Sequence, residues 1–176
     1  MIYVDGKRLP SFFQEDTGEG IYGFFDAYRF LSNFHLSPIV YEGILYPTSE
    51  HAYMACKVKD VSEKIRLSEI TKPSEVKKEG RKVKLIPDWD NKRNQYMYEV
   101  LVCKFGQNPE LLKRLLATGD KYLEETNDWG DEYWGVTLSR RGERTGQNNL
   151  GQILMTIREE AKIVMKWIDL GRILSQ

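Results

Sequence analysis

A chain of 176 residues, 41% hydrophobic and 30% charged, carries enough apolar material for one ordinary core and too much for a disordered tail. Its 26 basic and 26 acidic residues cancel, so no long-range field draws it to nucleic acid, although a local basic groove stays open. The longest apolar runs, such as IVMKWI at 163–168, fall far short of a bilayer span, and MIYVDGKRLP at the start has no secretory pattern; no membrane partner and a cytoplasmic location are the expectations.

The opening MIYVDG reads as a short strand and turn, and IYGFF (Ile21 to Phe25) as a second strand. PIVYEGILYP is a hairpin turning at Glu42–Gly43 and ended by Pro47. Thr48 then caps a helix through SEHAYMACKVKD, its side-chain oxygen meeting free N–H groups of the first turn. Further helices are expected from Ser62 to Ile70 and from Pro73, whose missing N–H costs little in a first turn. Another runs from Asn91 to Phe105, with Tyr98, Leu101, Val102 and Phe105 on one side. Asn108–Pro109 starts a helix that ends before Gly119. Lys121 to Glu125 is a short strand, and NDWGDEYWGVTLSRRGERTGQNN is a long glycine-rich loop whose aromatic residues argue against disorder. Leu150 to Glu160 is an amphipathic helix, and AKIVMKWIDLGRIL a helix broken near Gly171. These elements define an α+β class, a mainly helical single domain over 1–176 with a small β-sheet.

Cys56 and Cys103 sit in predicted helices outside any CxxC pair and read as buried free thiols. The two histidines, His35 and His51, belong to no HExxH pattern, so no metal site is expected. GxGxxG and GxxxxGK[ST] are absent, so no dinucleotide or Walker-type cofactor site is expected either.

Three constellations can carry chemistry. Glu50 falls in the first turn of the Thr48-capped helix, and Lys57, seven residues on, takes nearly the same face, with Tyr53 and Met54 walling a groove between them. A carboxylate and a lysine on one cleft suit proton transfer or amine attack on an open-chain sugar; the same spacing also describes an ordinary surface pair. Asp128, Asp131, Glu132 and Trp134 share the glycine-rich loop. A carboxylate there can steady a cation-like sugar and an indole can stack on a departing heterocycle, or the loop is simply anchored by its tryptophans. Asn33, between apolar neighbours, reads a hydroxyl or base edge, or closes a local turn. Arg81 and Lys82, in the run KKEGRKVK, offer phosphate recognition, or mark a solvated helix end.

Several ordered blocks resemble one known family. FLSNF at 30–34, YPTSEHAYMACK from Tyr46 to Lys57, EGRK at 79–82, LLATGDKYLEET at 115–126, DEYWG at 131–135 and NNLGQILMTIRE from Asn148 to Glu159 together resemble the blocks of the YbiA-like, or NADAR, family, over about 21–160. The resemblance implies the NADAR fold and N-glycoside hydrolysis. It assigns catalytic roles to Glu50, to Lys57 (as a Schiff-base former with opened ribose) and to Asp131. It places Asn33, His51, Tyr53, Arg81, Trp89, Asp128 and Trp134 against substrate. Tyr46 replaces the family's usual tryptophan, and the extra NDWGD before EYWG leaves the acidic role to Asp128 or Asp131. The implied substrate is a small ribosyl phosphate, a ribosylamino-pyrimidine intermediate of riboflavin synthesis, cleaved at C1–N. The alternatives are ADP-ribosyl-guanine in nucleic acid or a nucleotide, and a non-catalytic ADP-ribose binding module. No protein partner is predicted.

Overall fold

A computed structural model describes residues 2–4, 7–9, 15–139 and 141–174, with side chains over 15–139 and 141–169. Strands β1 (Ile2–Val4) and β2 (Lys7–Leu9) form an antiparallel pair; the turn expected at Asp5–Gly6 lies outside the described residues. There follow β3 (Glu15–Asp16), β4 (Gly20–Tyr22), a 3-10 helix (Asp26–Leu31), β5 (Ile39–Tyr41) and β6 (Ile44–Tyr46). Helices α1 (Ser49–Ala55), α2 (Val61–Ser68), α3 (Pro73–Glu79), α4 (Trp89–Gln107) and α5 (Pro109–Ala117) come next. Strands β7 (Tyr122–Glu124), β8 (Thr126–Asn127), β9 (Val136–Leu138) and β10 (Arg144–Thr145) precede the long α6 (Asn149–Leu174). The class is α+β and mainly helical, as expected, but the β structure is spread over four small sheets among the described residues. No helix of the described residues is long and apolar enough to cross a membrane.

The chain divides into two compact units: Met1–Arg29 with Glu110–Gln176, and Phe30–Pro109. The second is built around α1. This helix is only seven residues long, and every one of them is buried, the pattern of a helix enclosed on all sides. Around it pack α2, α3, α4 and β6. Leu67, Val76, Met97, Val100 and Leu101 close that core, each adding roughly 1.5–3 kcal/mol on full burial. Val102, expected on the inner side of α4, is exposed; Val100 and Lys104 take the inner positions instead. The β5–β6 hairpin turns through Glu42 (φ 49°) and Gly43 (φ 77°), the left-handed pair that matches strand twist in a two-residue turn. Pro73 occupies the first turn of α3, where its missing N–H leaves no gap.

In the other unit β7 lies parallel to β4, and the first turns of α6 pack on β7. Asn148 (φ 52°) fixes this join: its Nδ2 donates to the Leu123 carbonyl at 2.9 Å and its Oδ1 accepts the Glu125 N–H at 3.1 Å. Leu150, Leu154 and Ile157 follow on the inner face, and Arg158 donates to the Thr118 hydroxyl and the Lys121 carbonyl, both at 2.8 Å, closing the end of α5. A Cβ on Gly151 would stand 2.1 Å from the Leu123 carbonyl oxygen, and that oxygen belongs to backbone. Gly151→Ala is therefore expected to destabilise the protein by about 1–3 kcal/mol, the usual cost of overpacking, read as a lower urea midpoint at unchanged slope. A midpoint equal to that of the unsubstituted protein would mean the helix can slide on β7.

Two expectations change here. The glycine-rich stretch after Thr126 is not one loop: β8 pairs parallel with β9 and β9 antiparallel with β10, so residues 128–135 are the crossover between two parallel strands. Gly135 permits it, because a Cβ there would lie 2.2 Å from the Glu125 carbonyl oxygen. The second change is that α6 runs unbroken through Gly171.

Candidate active site

The unit Phe30–Pro109 positions Glu50 from its backbone outward. Thr48, extended at φ −143°, caps α1 by accepting the His51 N–H, as its place before the helix predicts. The Asn33 carbonyl accepts the Glu50 N–H at 3.0 Å, and the Asn33 side-chain oxygen accepts the Ser49 hydroxyl at 3.1 Å. The Asn33 amide nitrogen reaches the Met97 sulfur at 3.3 Å, and Lys104, fully buried in α4, donates to the Ser32 carbonyl at 2.8 Å. Segment 32–33 is thus held from α4 and in turn holds the first turn of α1. Glu50 is buried at 4% exposure. Asn33 is first of all this clamp, with one Nδ2–H left for a ligand.

Lys57 does not share the helix with Glu50. The helix stops at Ala55, and the next backbone bonds are tight ones, Lys57 N–H to the Met54 carbonyl at 3.3 Å and Val58 N–H to the Ala55 carbonyl at 3.2 Å. The reason is tertiary: the Lys57 carbonyl accepts the Ile86 N–H at 2.8 Å, which an extended α1 would forbid. The lysine still comes to the same place. Its Nζ donates to the Gly80 carbonyl at 3.1 Å and lies 5.9 Å from the Tyr53 ring centre and 5.6 Å from that of Trp89. Gly80 allows the approach of α3, since a Cβ there would meet the Met54 sulfur at 2.3 Å. Trp89 starts α4, tilted against Tyr53 at 5.4 Å and stacked on Tyr96 at 5.8 Å and 14°.

Burial pushes the Lys57 ammonium below the ordinary lysine value of 10.5; the Glu50 carboxylate pulls it back up, and the Arg81 and Lys77 charges lower it further. Arg81 is exposed and makes no ion pair or hydrogen bond with any described residue. Lys82 is spent on Glu79 at 2.6 Å. Of the two cations of EGRK, Arg81 is the one left uncommitted among the described residues.

His51 is fully buried. Its Nε2 donates to the Ile70 carbonyl at 2.8 Å and its Nδ1 accepts the Thr48 hydroxyl at 2.7 Å, while burial keeps the ring neutral by lowering its pKa. His51 thus braces α1 against the end of α2. Cys56 is buried, with its thiol pushed up to about 12 by burial, and Cys103 is half-buried. No group of histidine, cysteine and carboxylate residues with metal-binding geometry occurs among the described residues.

Asp128, Asp131 and Trp134 belong to the other unit, on the crossover between β8 and β9. Asp131 Oδ1 accepts the Trp134 N–H at 3.0 Å, and the Asn127 side chain brackets Asp131 by accepting its N–H at 3.0 Å and donating to its carbonyl at 2.9 Å. Trp134 meets Tyr133 edge-on at 5.0 Å, and its carbonyl accepts the Leu150 N–H at the start of α6. The loop is thus anchored, and the half-buried Asp131 is both its turn-former and an accessible carboxylate.

Asn127, Ser49, Gly80, Met97 and Lys104 are contributors that sequence reasoning misses. Gly80 stands within a recognised block; a lysine among the apolar positions of α4 carries no signal of its own.

This mixed α+β chain, with a buried Glu50 and a partly desolvated Lys57 in one unit, is matched by a family model. Residues 12–162 match the NADAR domain, and the chain belongs to that family. It is 34% identical over 162 residues to the N-glycosidase YbiA of Escherichia coli (strain K12), covering 91% of this chain and 98% of that protein. It is 36% identical over 138 residues to a riboflavin biosynthesis protein of Vibrio vulnificus (strain YJ016), covering 77% of this chain and 36% of that one. The solved NMR structure of the E. coli protein YbiA superposes with a TM-score of 0.74 at 32% identity, over 86% of this chain and 89% of that one.

Proposed function

We propose that this chain is an N-glycosidase, a hydrolase that cleaves the ribosyl C1–N bond of a phosphorylated ribosylamino-pyrimidine. The observation that carries the reading is Lys57. An amine held off its ordinary pKa by burial, seated on a carbonyl and two aromatic rings near a buried carboxylate, is a nucleophile for an opened sugar. Support for the activity comes from relatives named N-glycosidases, and for the pathway from the relative named for riboflavin biosynthesis.

The ribosylamine ring opens to the iminium of the leaving amine. Neutral Lys57 attacks C1 and the C1–N bond to the pyrimidine breaks, the released amine taking a proton that Glu50 relays. The Lys57 iminium then adds water at C1; Glu50 accepts the water's proton, and ribose 5-phosphate leaves as the lysine amine returns. One water is consumed and the products are the free amine and the sugar phosphate. Arg81 meets the phosphate through its guanidinium fork, and Trp89 with Tyr53 walls the sugar.

The deciding experiment gives the purified protein the ribosylamino-pyrimidine phosphate and ADP-ribosylated guanine DNA in parallel. Ribose 5-phosphate release supports the proposal, free ADP-ribose replaces it with nucleic-acid repair chemistry, and turnover of neither removes the enzymatic reading. Arg81→Ala is expected to raise KM for the phosphorylated substrate by about tenfold or more, the worth of a charge-assisted contact. An equal loss on a dephosphorylated analogue would assign Arg81 a different contact.

A further inference from the structure

A concave space lies in the unit Phe30–Pro109, lined in part by Cys56 and Val58, the residues on either side of Lys57. Its volume is about 260 Å³, and Lys59, Lys64, Lys92, Glu42, Tyr96 and Ile86 border it. We infer that this cavity is an anion-binding site for a small ring-bearing phosphate monoester, distinct from the Glu50–Lys57 centre.

Three lysines face one carboxylate across the cavity, and Glu42 is already paired with Lys64. Lys59 and Lys92 form no ion pair or hydrogen bond with any described residue. Two uncommitted lysines bordering one hollow leave a surplus of positive charge that matches a dianion, which a phosphate monoester is near neutral pH. Like charges brought together in a concavity repel, and an anion relieves that repulsion.

The size of the cavity narrows the ligand. At ~30 Å³ per water the space holds roughly nine waters, below the usual range of about 300–1,000 Å³ for drug-sized ligands. A dinucleotide or ADP-ribose is too large; one ring with one phosphate fits. The lining supplies the matching surface, with Val58, Ile86 and Pro87 apolar and the Tyr96 ring held in place by its stack on Trp89.

The cavity also shares a wall with the candidate centre. Cys56 and Val58 line it while Lys57 between them carries its Nζ to the Gly80 carbonyl, and Trp89 contacts both Lys57 and Tyr96. An occupant therefore presses on the residues that hold Lys57, which makes this a place for a product or effector to be sensed.

Phenyl phosphate is the probe, titrated into the isotope-labelled full chain and followed by amide NMR. The expected result is saturable shifts at Val58, Lys59 and Lys92 that persist in Arg81→Ala, in which the phosphate contact of the other centre is removed. Affinity at those amides should weaken at least fivefold in the double variant Lys59→Ala/Lys92→Ala. Both replaced side chains are exposed, so an unchanged spectrum elsewhere certifies the fold. Benzyl alcohol, with the ring and no charge, should not saturate. Shifts confined to the Lys57 and Arg81 segments, no saturable shift, or a loss under fivefold in the double variant each overturn the inference.

Discussion

Lys57→Ala is expected to lower kcat by about 10²–10⁴-fold, the range lost when a positioned proton-transfer or nucleophilic group is removed. Lys57→Arg is expected to fail equally. Arginine keeps a cation over the Tyr53 and Trp89 rings and a donor to the Gly80 carbonyl, but its guanidinium does not deprotonate in proteins and forms no iminium. The pair of variants separates two uses of the site. If Lys57 serves only as a positive charge that steadies a leaving group, arginine restores most of the rate. If it bonds C1, arginine restores none. Borohydride added during turnover should then fix a reduced sugar phosphate on the peptide holding Lys57, detected by mass spectrometry. An active, saturated enzyme that yields no adduct, together with rescue by arginine, would return the mechanism to direct attack by water. A thermal melt accompanies both variants, because the Gly80 carbonyl loses its partner in Lys57→Ala and a loss of fold must be told from a loss of chemistry.

Local chemistry makes parts of this molecule legible from sequence. Thr48 before α1, the Glu42–Gly43 turn and the prolines opening α3 and α5 each satisfy or omit a particular backbone group, and each element begins where those residues say. The features that escape depend on partners far along the chain. The end of α1 is set by Ile86 reaching the Lys57 carbonyl, and a helix buried on every side has no apolar stripe whose fading would mark its end. Strands β8, β9 and β10 are two or three residues long, too short for alternation to register, and two of them pair in parallel across a crossover. Gly171 does not break α6, since a glycine costs a helix only about 1 kcal/mol against the propagation of its neighbours.

The candidate site divides along the same line. Glu50 and Lys57 are visible as residue types in a recognised block, but the shared helix that their spacing predicts does not exist. Lys57 leaves the helix, is redirected by the Gly80 carbonyl and two rings, and still feels the Glu50 charge. The Lys104–Ser32 and Asn33–Glu50 bonds that set the helix start are invisible for a related reason: they use backbone carbonyls, which every sequence offers.

Glu50→Gln should cost about 10²–10⁴-fold in kcat as a lost proton relay, and it should also move the titration of Lys57 in a direction opposite to that produced by Arg81→Ala. In the folded protein burial lowers the Lys57 pKa, Glu50 raises it, and Arg81 lowers it. Removing the carboxylate charge therefore drops the lysine pKa further below 10.5, and removing the guanidinium lets it climb back toward 10.5. Where neutral Lys57 is the nucleophile, the rate rises with pH as the amine loses its proton. The rising limb should move to higher pH in Arg81→Ala, where the rate at any pH below the midpoint falls about tenfold for each pH unit the limb travels, and to lower pH in the residual activity of Glu50→Gln. Stability follows the same sign. Between the lowered value and 10.5 the unfolded chain binds the proton that folded Lys57 gives up, so stability increases with pH across that window. The window is wider in Glu50→Gln and narrower in Arg81→Ala. Lysine-labelled NMR of the amine gives the titration without relying on turnover. Midpoints that move in the same direction in both variants, or a Lys57 midpoint above 10.5 in the unsubstituted protein, would show that the Glu50 and Arg81 charges do not set the state of this amine.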